Sequence, residues 1–263
     1  MTVQNTSDGL LEASAGLLQR SAVLIYGVIC YAAFFVVFVY FIAFVMDLFV
    51  PFSVDRGTVS GPLFAVAVNL ALIGAFAVQH TIMARPAFKQ WVIRYIPEPA
   101  ERSTFVLFAT LILAALCFFW QPIPAIVWQV ESGPLATVLW SICVTGWLLL
   151  FASSYMIDHY DLFGLRQVWL YFNRRSYTHP EFVTRGAYKY VRHPLMLGVL
   201  LGVWAIPTMT AGHLLLATGF SVYILIGTWY EERDMVRHLG ERYREYQRSV
   251  PKLFPWSRRA RKQ

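Results

Sequence analysis

Two strings in the C-terminal third hold most of the residues able to do chemistry. Tyr188-Lys189-Tyr190-Val191-Arg192-His193-Pro194 enters a long charge-free stretch, and Glu231-Glu232 leaves it. Proline in the first turn of a helix loses no hydrogen bond, because an N–H there has no intrahelical partner. The free N–H groups that follow it form an electropositive end suited to a carboxylate. Two adjacent glutamates can accept hydrogen bonds from an amino or hydroxyl group and offset a cationic centre. Tyr188 and Tyr190 offer aromatic faces to a flat ring or a cation. Histidine marks two further strings. Gln79-His80 ends one charge-free stretch, and Asp158-His159-Tyr160-Asp161 follows another. Imidazole has the ordinary pKa suited to removing a proton near neutrality, so His80, or His159 oriented by Asp161, is the candidate base. Polar and ionisable groups at membrane depth are costly unless paired, which makes them functional candidates by default. No H-E-x-x-H or similar i,i+4 histidine pair occurs, so no metal site is expected. His213, in a turn, and His238, on a polar helix face, are read as structural.

These strings must be placed by membrane helices. Of 263 residues, 57% are hydrophobic and 14% charged, and the mean hydropathy is +0.52. That composition excludes a soluble globular domain and a disordered chain. Residues 21–46, 57–84, 103–130, 132–157 and 193–230 lack Asp, Glu, Lys and Arg, and each is long enough to cross roughly 30 Å of hydrocarbon. Pro207 and Gly212 split the last stretch into arms of about 194–208 and 212–230. The expected fold is an all-α integral membrane protein, with four transmembrane helices, a C-terminal helical hairpin and a cytoplasmic amphipathic C-terminal helix. One membrane domain fills residues 21–251, preceded by a cytoplasmic segment 1–20 without a secretory signal and followed by a basic tail 252–263. Gly198 and Gly202 read as small-residue helix packing, and Cys30, Cys117 and Cys143 as buried hydrophobes.

Charge sets the orientation. Of 22 Lys and Arg, only Arg56 falls on one side of this layout. The other face, carrying both termini, is therefore cytoplasmic by the positive-inside rule. The net charge of +7 then belongs to anionic lipid at the inner leaflet, with the bilayer rather than nucleic acid as partner.

The string Gly186-x-Tyr188-x-x-x-Arg192-His193-Pro194-x-Met196-x-Gly198, followed by Glu231-Glu232 and by Gly240-x-x-Tyr243-x-x-Tyr246, resembles the membrane methyltransferases of the isoprenylcysteine carboxyl methyltransferase superfamily. Met196 stands where that pattern has Tyr, and Met235 and Leu239 replace Leu and Phe. The strings around His80, Glu98-Pro99-Ala100-Glu101-Arg102 and Asp161-Leu162-Phe163-Gly164-Leu165-Arg166-Gln167 narrow the likeness to the bacterial methanethiol S-methyltransferases. The resemblance implies S-adenosylmethionine as cofactor, bound about residues 180–251 by Tyr188, Arg192, His193, Pro194, Met196, Glu231 and Glu232. It implies methanethiol as the acceptor and dimethyl sulfide as the product, with His80, His159 and Asp161 as catalytic residues, in a bacterial inner membrane. The alternatives are a prenylcysteine or lipid methyltransferase and a non-enzymatic NnrU-like accessory protein.

Overall fold

The computed structural model describes residues 16–255; most of the segment 1–20, the basic end of the tail and both termini lie outside them. The described residues are mainly helical. Five helices among the described residues are long and apolar enough to cross a membrane: α1 (Leu17–Met46), α2 (Pro62–Met83), α4 (Glu101–Phe119), α5 (Pro134–Ile157) and α9 (Ala211–Leu239). Short helices α3 (Pro86–Val92), α6 (His159–Leu162) and α7 (Leu165–Phe172) lie in the connections, and α10 (Glu241–Ser249) follows α9. The chain is thus an integral membrane protein that passes the bilayer several times.

The hairpin differs from its expected outline. Its first arm, α8 (Pro194–Trp204), has only 11 residues, or about 16 Å of rise, and stops short of a full span. Its second arm does not end at Tyr230. It continues as one helix through Glu231 and Glu232 to Leu239, because the charges mark the end of the apolar run rather than the end of the hydrogen-bonded helix. Gly240, at φ 60°, then breaks the chain into α10, a conformation that suits glycine. The charge-free stretch 103–130 is likewise not all helix. Pro122 and Pro124 lie beyond Phe119, where the helix stops, and the chain resumes as an extended strand. That strand, β1 (Ile126–Gln129), pairs antiparallel with β2 (Thr208–Thr210) in the turn of the hairpin.

The described residues form two compact units. The first comprises residues 16–39, 78–114 and 158–182, and the second residues 40–77, 115–157 and 183–255. In the first, several side-chain hydrogen bonds cross between segments, where scarce water makes an unmet polar group costly. Tyr26 Oη meets Thr104 Oγ1 at 2.9 Å, Arg20 Nη1 donates to the Phe172 carbonyl at 2.6 Å, and Arg102 Nε donates to the Leu162 carbonyl at 2.7 Å. These bonds tie α1, α4 and the α6–α7 segment together.

The second unit is held by aromatic stacks and one close helix pair. Phe220 stacks on Phe41 at 5.5 Å and on Phe76 at 5.6 Å between ring centroids. Asn69, fully buried, donates to the Gln121 carbonyl and accepts from the Gln121 N–H, which satisfies backbone just past the end of α4. Helices α5 and α8 pack backbone to backbone. A Cβ placed on Gly198 would lie 2.5 Å from the Gly146 carbonyl oxygen, so only glycine permits this approach. His213 is buried, with Nε2 2.8 Å from the Val203 carbonyl, and so fastens the hairpin turn.

Candidate functional site

In the second unit the local sequence Arg192-His193-Pro194 opens α8. Pro194 occupies the first turn and His193 is the N-cap residue, yet its side chain makes no capping bond. The backbone of this entry is clamped from below: Arg192 N–H donates to the Pro251 carbonyl and His193 N–H to the Lys252 carbonyl, at 2.9 and 3.1 Å. Leu195 and Met196 therefore present first-turn N–H groups that no helical carbonyl can reach. Met196 and Tyr188 are half-buried. Tyr188 belongs to the 3-10 turn Gly186–Lys189 and receives the Tyr246 hydroxyl on its carbonyl at 2.6 Å. Burial and the nearby Glu231 carboxylate push the Tyr188 phenol up from its ordinary pKa.

The two glutamates have different tasks. Glu232 Oε1 accepts from Arg192 Nε at 2.7 Å and lies 3.0 Å from His193 Nε2. Its Oε2 accepts from Arg192 Nη2 at 3.2 Å and Gln247 Nε2 at 3.1 Å. Arg192 spends its remaining nitrogen on the Gln247 and Val250 carbonyls. Both side chains of this ion pair are about nine-tenths buried, and the low local dielectric makes such a saturated network rigid. Glu231, in contrast, is 54% exposed and stands 3.7 Å from His193 Nδ1. Its carboxylate is open. The sequence alone does not separate the two glutamates or single out Gln247, because which glutamate turns inward depends on the phase of α9.

In the first unit His159 begins α6 and is 2% exposed. Its Nε2 lies 2.8 Å from the Tyr31 hydroxyl, with the rings edge to face at 5.7 Å. Burial lowers the imidazole pKa from its ordinary value, and the Asp158 carboxylate partly raises it again. Asp158 caps α6 by accepting from the Asp161 N–H at 3.0 Å. It sits at φ 126° and ψ 86°, a conformation costing on the order of 1–3 kcal/mol of a kind that gathers at functional sites.

The orienting partner that the spacing predicts for His159, Asp161, is engaged elsewhere. Its carboxylate accepts from Arg166 Nη1 at 3.1 Å and from the Tyr177 hydroxyl at 3.3 Å, and burial with this carboxylate pushes the Tyr177 phenol up to about 12. Tyr31 was not singled out from sequence. The available signal was a hydroxyl inside an otherwise apolar span, which needs a partner.

His80, in the last turn of α2, lies edge-on to Phe105 at 4.8 Å. Phe105 packs in a cluster with Met83, Val106, Phe34, Phe88 and Phe163, where Phe34 and Phe163 stack at 4.2 Å. His159 lies 4.8 Å from Phe163. The two histidines therefore flank one aromatic cluster. Among the described residues, no group of three His, Cys, Asp or Glu is arranged to hold a metal ion.

Comparison with known proteins adds an independent finding. The family model described as NnrU protein matches residues 68–256. The chain is 48% identical over 239 residues to methanethiol S-methyltransferase 2 of Bradyrhizobium diazoefficiens, covering 91% of this chain and 92% of that one. It is 43% identical over 247 residues to methanethiol S-methyltransferase 1 of the same organism, covering 94% and 87%. The methanethiol S-methyltransferase of Mycobacterium tuberculosis is 45% identical over 242 residues, covering 92% and 99%. No solved structure matches this chain.

Proposed function

The chain belongs to the NnrU family and, within it, to the group of the methanethiol S-methyltransferases, and from that membership we propose that it methylates methanethiol to dimethyl sulfide with S-adenosylmethionine, at a site open to the cytoplasm in a bacterial inner membrane. The observation that carries the cofactor assignment is the open Glu231 carboxylate beside an uncapped helix N-terminus. The residues there fit the group. First-turn N–H groups of α8 suit its carboxylate, Glu231 suits its amino group and positive centre, and Tyr188 and Met196 supply half-buried apolar walls. Arg192, His193, Pro194 and Glu232 hold this frame in place. When bound, S-adenosylmethionine supplies a methyl group made electrophilic by its sulfonium.

The protein's remaining task is to make a thiolate. Thiolate, not thiol, is the nucleophile, and a simple alkyl thiol is mostly protonated at neutral pH. His159 or His80, on the two flanks of the aromatic cluster, is the base that ends up with its proton. Asp161 acts through Arg166 and Tyr177 to fix the turn that carries His159, so it is a positioning residue. The Phe34–Phe105–Phe163 cluster excludes water, which favours a transition state that disperses charge over separated ions.

Headspace gas chromatography of the purified chain in lipid tests the reading. With S-adenosylmethionine, methanethiol should give dimethyl sulfide in preference to products from hydrogen sulfide or a prenylcysteine. Preferred methylation of the prenylcysteine would overturn the acceptor assignment.

A further inference from the structure

We infer that the Tyr31 hydroxyl is the group that takes the proton from the acceptor thiol and passes it to His159, an assignment that rests on the proposed thiol methylation. Three observations carry it. First, His159 is almost completely enclosed, and its Nε2 faces the Tyr31 hydroxyl at 2.8 Å. The phenol oxygen thus occupies the position from which a proton would reach that nitrogen. Second, Tyr31 is half-buried, and its ring lies against both members of the stacked Phe34–Phe163 pair, at 6.4 and 6.1 Å. Its hydroxyl is thus the polar tip of the apolar cluster a small thiol would enter. Third, Asp158, immediately before His159, holds a strained positive φ that the α6 cap and Arg166 keep in place. That strain fixes where the imidazole starts.

The transfer balances without any further reactant. The S–H bond breaks and its proton joins the phenol oxygen, while the phenol O–H bond breaks and that proton joins Nε2. The electron pair stays on sulfur. The result is a thiolate, an imidazolium and a neutral Tyr31, and the imidazolium returns its proton to water by the reverse path after the product leaves. The charged and titratable groups around His159 are Asp158 and Asp161 with Arg166 on its own segment, Tyr31 from α1, and Arg102 from α4, bonded to the Leu162 carbonyl. The Asp158 carboxylate favours the imidazolium that the transfer creates, partly offsetting the burial that disfavours it.

The test uses the full chain in lipid vesicles, with Tyr31→Phe, His159→Gln and the double variant compared across pH. Dimethyl sulfide formation gives kcat/KM for methanethiol, and calorimetry gives S-adenosylmethionine affinity. Tyr31→Phe keeps the ring and its packing, so cofactor affinity should stay unchanged. It should lower kcat/KM near neutrality by about 10²-fold or more, and the loss should shrink as pH approaches the thiol's own pKa, where solvent supplies thiolate. The double variant should be no worse than the poorer single one, because the two residues act as a unit. A Tyr31→Phe chain with unchanged kcat/KM, a loss equal at every pH, or defects that multiply would overturn the relay alone. A wild-type chain that forms no dimethyl sulfide would overturn the methylation reading, and the relay with it. If His159→Gln fails to fold, the pH profile of Tyr31→Phe decides by itself.

Discussion

Two regions of this molecule solve the problem of polar chemistry at a membrane in opposite ways. Around Glu232, one carboxylate faces four donor nitrogens from Arg192, His193 and Gln247, and almost nothing polar is left unanswered. Around His159, the imidazole is set among aromatic rings with the Tyr31 hydroxyl at Nε2. The first arrangement gives rigidity, since a buried charge network is favourable only when complete. The second leaves proton affinity adjustable, because burial and the Asp158 carboxylate shift it in opposite directions. A frame that must hold a shape ties its charges to one another, and a base that must change charge is set among rings.

The largest test of that contrast removes the carboxylate at the centre of the frame. Glu232→Ala leaves a buried Arg192 guanidinium without its ion-pair partner, and breaking such a pair costs about 3–5 kcal/mol. Thermal denaturation in detergent should show a large drop in Tm, while Glu231→Gln, at an exposed side chain, should leave Tm nearly unchanged. Equal drops would erase the distinction between the two glutamates.

A smaller loss is expected from Gly198→Ala. Its new Cβ would meet the Gly146 carbonyl at 2.5 Å, and overpacking of this kind costs about 1–3 kcal/mol. The same assay reads it, and an unchanged Tm would show that α5 and α8 can separate freely.

The smallest effect concerns pH. The neutral imidazole is the active form, so activity falls as pH drops through the His159 pKa. Burial places that fall below the ordinary imidazole value of about 6.5. Asp158→Asn keeps a capping oxygen but removes the charge that raises the pKa, so the acid limb of kcat/KM should move to still lower pH. An unmoved limb would assign it to another group.

How much of this was legible in the sequence follows the same division. The frame is written in contiguous strings, Arg192-His193-Pro194 and Glu231-Glu232, and five membrane spans are visible as charge-free runs. The direction in which each glutamate points was not legible, because it depends on α9 continuing helically past Tyr230. Pro122 and Pro124 could have ended the third span early, but the absence of charge through residue 130 concealed β1. The aromatic cluster was least legible. Phe34, Met83, Phe105 and Phe163 come from four separate segments, and each looks like ordinary membrane filling until the fold brings them together. Asp161 misled for a related reason: adjacency to His159 in sequence does not aim a carboxylate at the ring, and Arg166 and Tyr177 claim it instead.

The central claim is a division of labour, with Glu231 serving the cofactor and His159 serving the thiol. Calorimetric titration of S-adenosylmethionine into the wild-type chain, Glu231→Gln and His159→Gln measures it most directly. Loss of a charge-assisted contact worth about 1.5–3 kcal/mol should weaken binding to Glu231→Gln roughly 10-fold or more, while His159→Gln binds as the wild type does. Unchanged affinity in Glu231→Gln, or an equal loss in both variants, would contradict the division.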